Sequence, residues 1–418
     1  MSFLTKSVNS NQVNLMLSIH KTINFFTLKI LFLSIAILGN FPKIAQAETY
    51  QILGQFDGKN GSFPASSVIT DSKGNLYGTT TYGPKRFGTV FKLTPQGVIQ
   101  TLFHFSRDTG TEPISGLIWG KDGNLYGTTR YRGKRPDGKI GSGTVYKMTP
   151  NGQFSLLHVF DYRHGQLPGP GLLLANDGNF YGVTSLDHGT IYRVNYKGDF
   201  TVLYKFSGHG KLNGSHPSSP LIQAKDGFLY GTTAGGGKYN HNQGTIFKIS
   251  LDGSFSTIWD FNDKKLKGGR MPTGSLVEGS DGNLYGTTRE GGNYGYGTIF
   301  KITPNGNLTT LVHFNGQNGR YPETALIEGN KGIFYGVTLF GGNSNQCSNG
   351  CGTLFKVTSD GALTTLVNFN GKNGIFPKGN LTKDSKGNIY GTTVNGGSNS
   401  TCPESEGKGC GLVFKLSP

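Results

Sequence analysis

The stretch Asn75-Leu76-Tyr77-Gly78-Thr79-Thr80 returns in close copies to the end of the chain, and this recurrence limits the fold more than any other feature. Copies stand at 124–129, 179–184, 228–233, 283–288, 333–338 and 388–393, and the tyrosines at 77, 126, 181, 230, 285, 335 and 390 are 49, 55, 49, 55, 50 and 55 positions apart. A period of this size marks a repeat architecture, in which each unit buries its faces against its neighbours. A uniform repeat leaves no break in composition for an interdomain linker.

Each unit reads as four short strands. Strand d is Tyr50 to Phe56 in the first copy and Thr101 to Phe105 in the next. A loop rich in Gly, Asp, Asn and Lys follows and ends at a proline (Pro64, Pro113, Pro170, Pro220, Pro272, Pro322 and Pro377), read as the entrance to strand a. Strand a turns through Lys73-Gly74-Asn75 or its equivalents into the Tyr-Gly strand b, since such pairs supply the positive φ of a tight hairpin. Strand c begins at Gly88, Gly143, Gly189, Gly244, Gly297, Gly352 and Gly411. No segment carries a helical period. Repeated pairs such as Tyr77 with Phe91, Tyr126 with Tyr146 and Tyr285 with Phe300 are expected to pack the blades.

Four antiparallel strands per unit of about 50 residues is the pattern of a propeller blade. The phase decides closure. The chain enters with a strand d lacking a preceding c and stops after a strand c lacking a following d, so pairing 50–56 with 411–416 completes every blade. The expectation is an all-β, seven-bladed β-propeller of four-stranded antiparallel blades spanning 48–418. An open repeat would leave bare edges and need capping units, which the sequence lacks.

Residues 1–47 read as a secretory signal peptide: Lys21 precedes the apolar run 30–39, and Ala45-Gln46-Ala47 is a cleavage signal before Glu48. The alternative, a membrane anchor, requires a longer apolar run. The length before Lys21 leaves Met16 as a second candidate start. Removing 1–47 removes four lysines and no acid, so the formal charge falls from +16 to +12. An exported chain oxidises its cysteines. Local bridges Cys347 to Cys351 and Cys402 to Cys410 are expected over the other pairings and over zinc, since no Cys-x-x-Cys is present.

Gly-Thr-[Val/Ile/Leu]-[Phe/Tyr]-[Lys/Arg], Thr-Pro-x-Gly, Leu-x-x-Phe and Asp-Gly-Asn-Leu-Tyr-Gly-Thr-Thr-x-x-Gly-Gly together resemble the GloVer tandem repeat of Gloeobacter and Verrucomicrobia, most fully over Leu276 to Phe314. The resemblance covers about 48–418. It implies export, and in some members a C-terminal anchor that has no counterpart before Pro418. It supplies no catalytic motif.

In a propeller, the d–a and b–c loops share one face and the a–b and c–d turns the other. The turns are short and nearly uniform here, whereas the loops vary, and variable insertions map to the binding face. The loops carry Lys85, Arg86, Arg107, Arg130, Arg132, Lys134, Arg135, Lys139, Arg163, Lys211, Lys238, Lys264, Lys265, Lys267, Arg270, Arg289, Arg320 and Lys372, with fewer acids, among them Asp108, Glu112, Asp161 and Glu290. Such a face suits an acidic polysaccharide, an acidic surface protein or a lipid headgroup; the plainer alternative is a solvated surface. Nucleic acid is not expected, because no recognition motif accompanies the charge. No cofactor or metal is expected. An enzymatic alternative, a glycan-active hydrolase or lyase, would use His164, His188, His209, His216 and His241 with Asp161 or Asp187, if those loop residues converge rather than stand apart. No nucleophile elbow or phosphate loop is present.

Overall fold

The computed structural model describes residues 48–207, 213–237, 243–261, 267–398, 402 and 408–418. All regular structure among them is β, arranged as seven antiparallel sheets, each with the order a-b-c-d, and in blades 4 and 7 a fifth short strand, Ser215–Pro217 or Ile375–Pro377, also pairs with strand b. Blade 1 is typical: a two-residue strand a (Ile69–Thr70), b (Leu76–Thr80), c (Thr89–Leu93) and d (Ile99–His104). In blade 7 the outer strand comes from the other end of the chain. Thr49–Gln55 pairs with Leu412–Ser417, and the Phe56 N–H reaches the Gly411 carbonyl at 3.0 Å, so the ring closes as the strand phase requires. The channel side closes as well, where the Thr392 hydroxyl donates to the Ser66 carbonyl at 2.9 Å.

The core is divided among the seven seams between blades. Tyr77 and Val90 of blade 1 pack with Leu125, Tyr146 and Met148 of blade 2, whereas Phe91 packs toward blade 7. Both rings pack the blades as expected, and they serve opposite seams. Successive residues of a strand point to opposite faces, and Phe91 stands opposite Gly78 rather than Tyr77. A Cβ on Gly78 would lie 2.7 Å from the Phe91 ring, and the equivalent glycine of every blade is roofed by an aromatic ring in the same way.

Three further repeated contacts account for the motif. The turn aspartate accepts from the motif tyrosine, as in Tyr126 to Asp122 at 2.7 Å and Tyr285 to Asp281 at 2.8 Å, and also caps the following Asn. The last motif threonine pairs with the first of strand c, as in Thr80 with Thr89 at 2.7 Å. Each strand d carries a bulge, at Leu102 in blade 1, and the bulged carbonyl would sit 2.6 Å from a Cβ on Gly152, the c–d turn glycine of the next blade. Blade 6 lacks the turn aspartate. There Glu48, at the start of the closing strand, accepts from Tyr335 and pairs with Lys356 at 2.7 Å.

The loop proline packs on the first glycine of strand c in the preceding blade, as Pro113 does on Gly88 and Pro322 on Gly297. In blades 3 and 4 this position belongs to Pro168 and Pro217, not to Pro170 and Pro220. Both of those loops contain two prolines, and only the first stands thirteen positions before the motif tyrosine, as in every other blade. The proline also lies outside strand a, which begins five positions later at Ile69 in blade 1.

Candidate functional site

The cations of the loop face are unequally paired. Several are held by acids from neighbouring loops. Arg135 pairs with Asp137 and Asp161 at 3.1 and 3.2 Å, Arg270 with Glu290, and Arg289 with Glu323 at 2.9 Å. Arg130, Arg132, Lys134, Lys139 and Arg163 make no ion pair among the described residues. The first four of these stand on the b–c loop of blade 2, within fewer than ten positions of one another. Arg130 lies over the Tyr131 ring, and Arg163 donates to the Tyr162 hydroxyl at 3.0 Å. Lys267 is exposed near His313. Lys264, Lys265, His209 and His241 lie outside the described residues.

This b–c loop overhangs a cavity of about 720 Å³ on the flank of blade 2, lined by Lys134, Arg135, Asp108, Asp161, His158 and His164 above an apolar floor that includes Phe154 and Leu156. The histidines and acids named in the sequence divide between two places. His164 stands 3.2 Å from Asp161 in this cavity. His188 and His216 sit together at the next seam, 6.2 Å between ring centres. Asp187, with φ of 50°, turns the loop beside His188. Among the described residues, no three His, Cys, Asp or Glu side chains stand together to hold a metal.

Burial by itself would raise the Asp161 carboxyl. The backbone N–H groups of Arg163 and His164, with the His164 and Arg135 side chains, outweigh it and hold the carboxyl below the usual carboxylate range. His164 Nδ1, although 3.2 Å from the Asp161 carboxylate, has no hydrogen-bond partner among the described residues. His158 is the member that sequence reading missed. Burial, and then the neighbouring His164, push its pKa down to about 4. It stacks on Phe200 of blade 3 at 3.8 Å, the place that Phe103 and Tyr204 take in their blades, and its Nε2 has no hydrogen-bond partner. The sequence did carry a signal. His104 and His313 immediately precede their strand-d phenylalanines while His158 stands one position earlier, which turns it from the outer face to the seam.

The cysteines form Cys347–Cys351 and Cys402–Cys410, both on the loop face of the last two blades. Two disulfides fit an exported protein. Among the described residues no helix is long and apolar enough to cross a membrane.

No curated protein matches the chain. Among solved structures it is similar to virginiamycin B lyase from Staphylococcus aureus, at 15% identity and a TM-score of 0.59, with 89% of this chain and 99% of that one covered. It is similar also to the extracellular domain of a protein described as a hybrid two component system from B. thetaiotaomicron, at 14% identity and a TM-score of 0.56, with 89% and 41% covered. At such identities the likeness is one of fold. The model of the Gloeobacter/Verrucomicrobia repeat matches residues 38–212, 135–348 and 267–418 in overlapping stretches. The chain belongs to the Gloeobacter/Verrucomicrobia repeat family.

Proposed function

We propose that this protein is an exported, non-catalytic binding module whose loop face takes an anionic polymer, an acidic polysaccharide in the first instance. The observation that carries the reading is the cluster of Arg130, Arg132, Lys134 and Lys139 on one loop, without ion pairs among the described residues, beside a cavity of about 720 Å³. Lys134 lines this concavity and the other three stand on the same loop, and unpaired cations so placed attract a polyanion and remain free to bond it. The rigid scaffold below favours binding, since loops of many lengths are held at fixed positions. Residues 1–47 fit this reading as a leader removed after Ala47, and the disulfides fit an oxidising compartment.

The test is binding of polygalacturonate, its methyl ester and a neutral glucan at low and high salt, with product analysis of every mixture. The reading expects polygalacturonate to bind at low salt, to weaken at least tenfold at high salt, and to be lost when Arg130, Arg132, Lys134 and Lys139 are replaced together by glutamine. Binding that ignores salt, or survives the quadruple replacement, contradicts it.

A second reading, a glycan-active hydrolase or lyase, draws on the His164–Asp161 pair, which could serve as a general base next to Arg135. Shortened product that disappears in His164→Gln would favour it over the module.

A further inference from the structure

Seven residues on the loop face adopt a backbone conformation that glycine takes without strain, and none of them is glycine. Phe63, Glu112, Leu167, His216, Met271, Tyr321 and Phe376 have φ between 54° and 58°. Each directly precedes the proline that packs on the neighbouring strand c. Each also bridges a seam, its N–H donating to the carbonyl just before that strand's first glycine, at 2.8 Å for His216 to His188 and 3.2 Å for Glu112 to Phe87. The left-handed region disfavours a side chain, and for a bulky residue it is an outlier that calls for a reason. Glycine occupies 43 other positive-φ positions among the described residues, so this repeat has a strain-free solution that it does not use here. The backbone is the same at all seven seams, while the side chain differs and is at least partly exposed at each. Partial exposure at every seam makes these side chains available for recognition, although Phe376 also packs against the core of its seam.

One arc of the ring has a recognisable chemistry. At three consecutive seams the residue is aromatic: Tyr321, Phe376 and Phe63. Phe340 lies between the first two, 6.0 and 5.0 Å between ring centres, and Tyr82 stands 5.4 Å from Phe63. Arg320 lays its guanidinium 4.5 Å from the ring centres of both Tyr296 and Tyr321. It has no ion pair among the described residues, and its terminal nitrogens donate to Asn349 at 3.3 Å and the Tyr321 hydroxyl at 2.9 Å.

We propose that this arc is a uronate subsite: the apolar C–H face of a pyranose ring packs against the cluster of Tyr321, Phe340 and Phe376, whose rings meet edge to face, and Arg320 takes the sugar's carboxylate. Aromatic rings offer area at little entropic cost, and the planar guanidinium suits a carboxylate in two-point contact. The proposal deepens the polyanion reading above and rests on it for the choice of an acidic sugar.

Calorimetric titration of polygalacturonate and its methyl ester into wild type, Tyr321→Gly, Arg320→Gln and Met271→Gly tests it. Met271 supplies the same backbone relief outside the arc. Tyr321→Gly is expected to lose at least tenfold in affinity for both polymers, with the melting temperature unchanged or raised. Arg320→Gln should lose about tenfold for the acid form only, and Met271→Gly should bind as wild type. Should Tyr321→Gly fail to fold, Tyr321→Asn, which tolerates the left-handed region, takes its place. If the arc variants bind as wild type while the quadruple replacement on the blade 2 loop abolishes binding, the arc proposal is overturned and the polyanion reading stands. If only the methyl ester binds, and Tyr321→Gly abolishes it, the aromatic contact stands, but the Arg320–carboxylate contact, and with it the uronate proposal, falls together with the polyanion reading. No binding of either polymer by the wild type overturns both.

Discussion

On the turn face, the a–b and c–d connections keep nearly the same residues from blade to blade, whereas on the loop face Thr184 and Gly189 are five positions apart and Thr393 and Gly411 eighteen. The contacts explain the difference. A turn glycine such as Gly152 lies under the bulged carbonyl of the preceding blade, and a turn aspartate such as Asp281 holds both the chain that follows it and a buried tyrosine. Each turn is thus part of a seam. A loop is tied at its ends, where proline meets glycine, and in between by links that differ from blade to blade, such as the Lys134 N–H to the Asp108 carbonyl and the two disulfides, so its length and charge can change. Uniformity here records packing, and variation records room for recognition.

The largest effect expected from this comparison is at the turn glycines. Gly152→Ala combines positive φ with a Cβ 2.6 Å from the Leu102 oxygen and should cost about 3 kcal/mol in urea unfolding. Gly138→Ala on the blade 2 loop meets nothing within 4 Å and should cost only the backbone term, about 1 kcal/mol. Equal costs would mean that the turn glycine is retained for φ alone.

His158 tests what a titratable side chain costs when strand d places it in a seam. Its folded pKa of about 4 lies below the ordinary value of 6.5, so the unfolded chain binds the extra proton between those values. Stability is complete above pH 6.5 and falls as pH drops toward 4, by up to about 3 kcal/mol. His158→Phe, which copies blade 1, should remove that part of the pH profile. An unchanged profile would place the titration elsewhere.

The fold was legible because every strand pairing needs a turn, and turns need Gly, Asp or Asn in set places. The phase of the two chain ends then fixed the closure. Register within a blade was legible in principle from the period of two, which sets Phe91 opposite Gly78 and sends Tyr77 and Phe91 to opposite seams. Much less of the site was legible. The partners of Arg135, Arg270 and Arg289 come from Asp161, Glu290 and Glu323 on connections whose course no local signal fixes. The left-handed residues before the seven prolines are marked by neither Gly nor Asn.

The disulfides brace the loop face with short circuits. Closing five or nine residues removes little unfolded-chain entropy, so reduction should cost about 2 kcal/mol for each bridge. A loss well beyond 3 kcal/mol would show that a blade depends on its bridge.

The smallest effect is expected at Glu48. Burial would raise its carboxyl, but Lys356 and Tyr335 hold it below the usual range, so its contribution is complete above about pH 4.5 and is lost as pH falls through the folded value. Because the pair still reaches solvent, Glu48→Gln should cost under about 1 kcal/mol, against about 2 for Asp281→Ala, whose carboxylate accepts from both Asn283 and Tyr285. Equal losses would deny that Glu48 is a weaker stand-in for the missing turn aspartate.

The division of labour between the two faces is tested most directly by hydrogen–deuterium exchange with and without polygalacturonate. The account predicts slowed exchange in the blade 2 loop 130–143 and in the segments around Tyr321, Phe340 and Phe376, with the turns at 71–75, 94–98 and 281–283 unchanged. Protection confined to those turns, or none on the loop face, would contradict it.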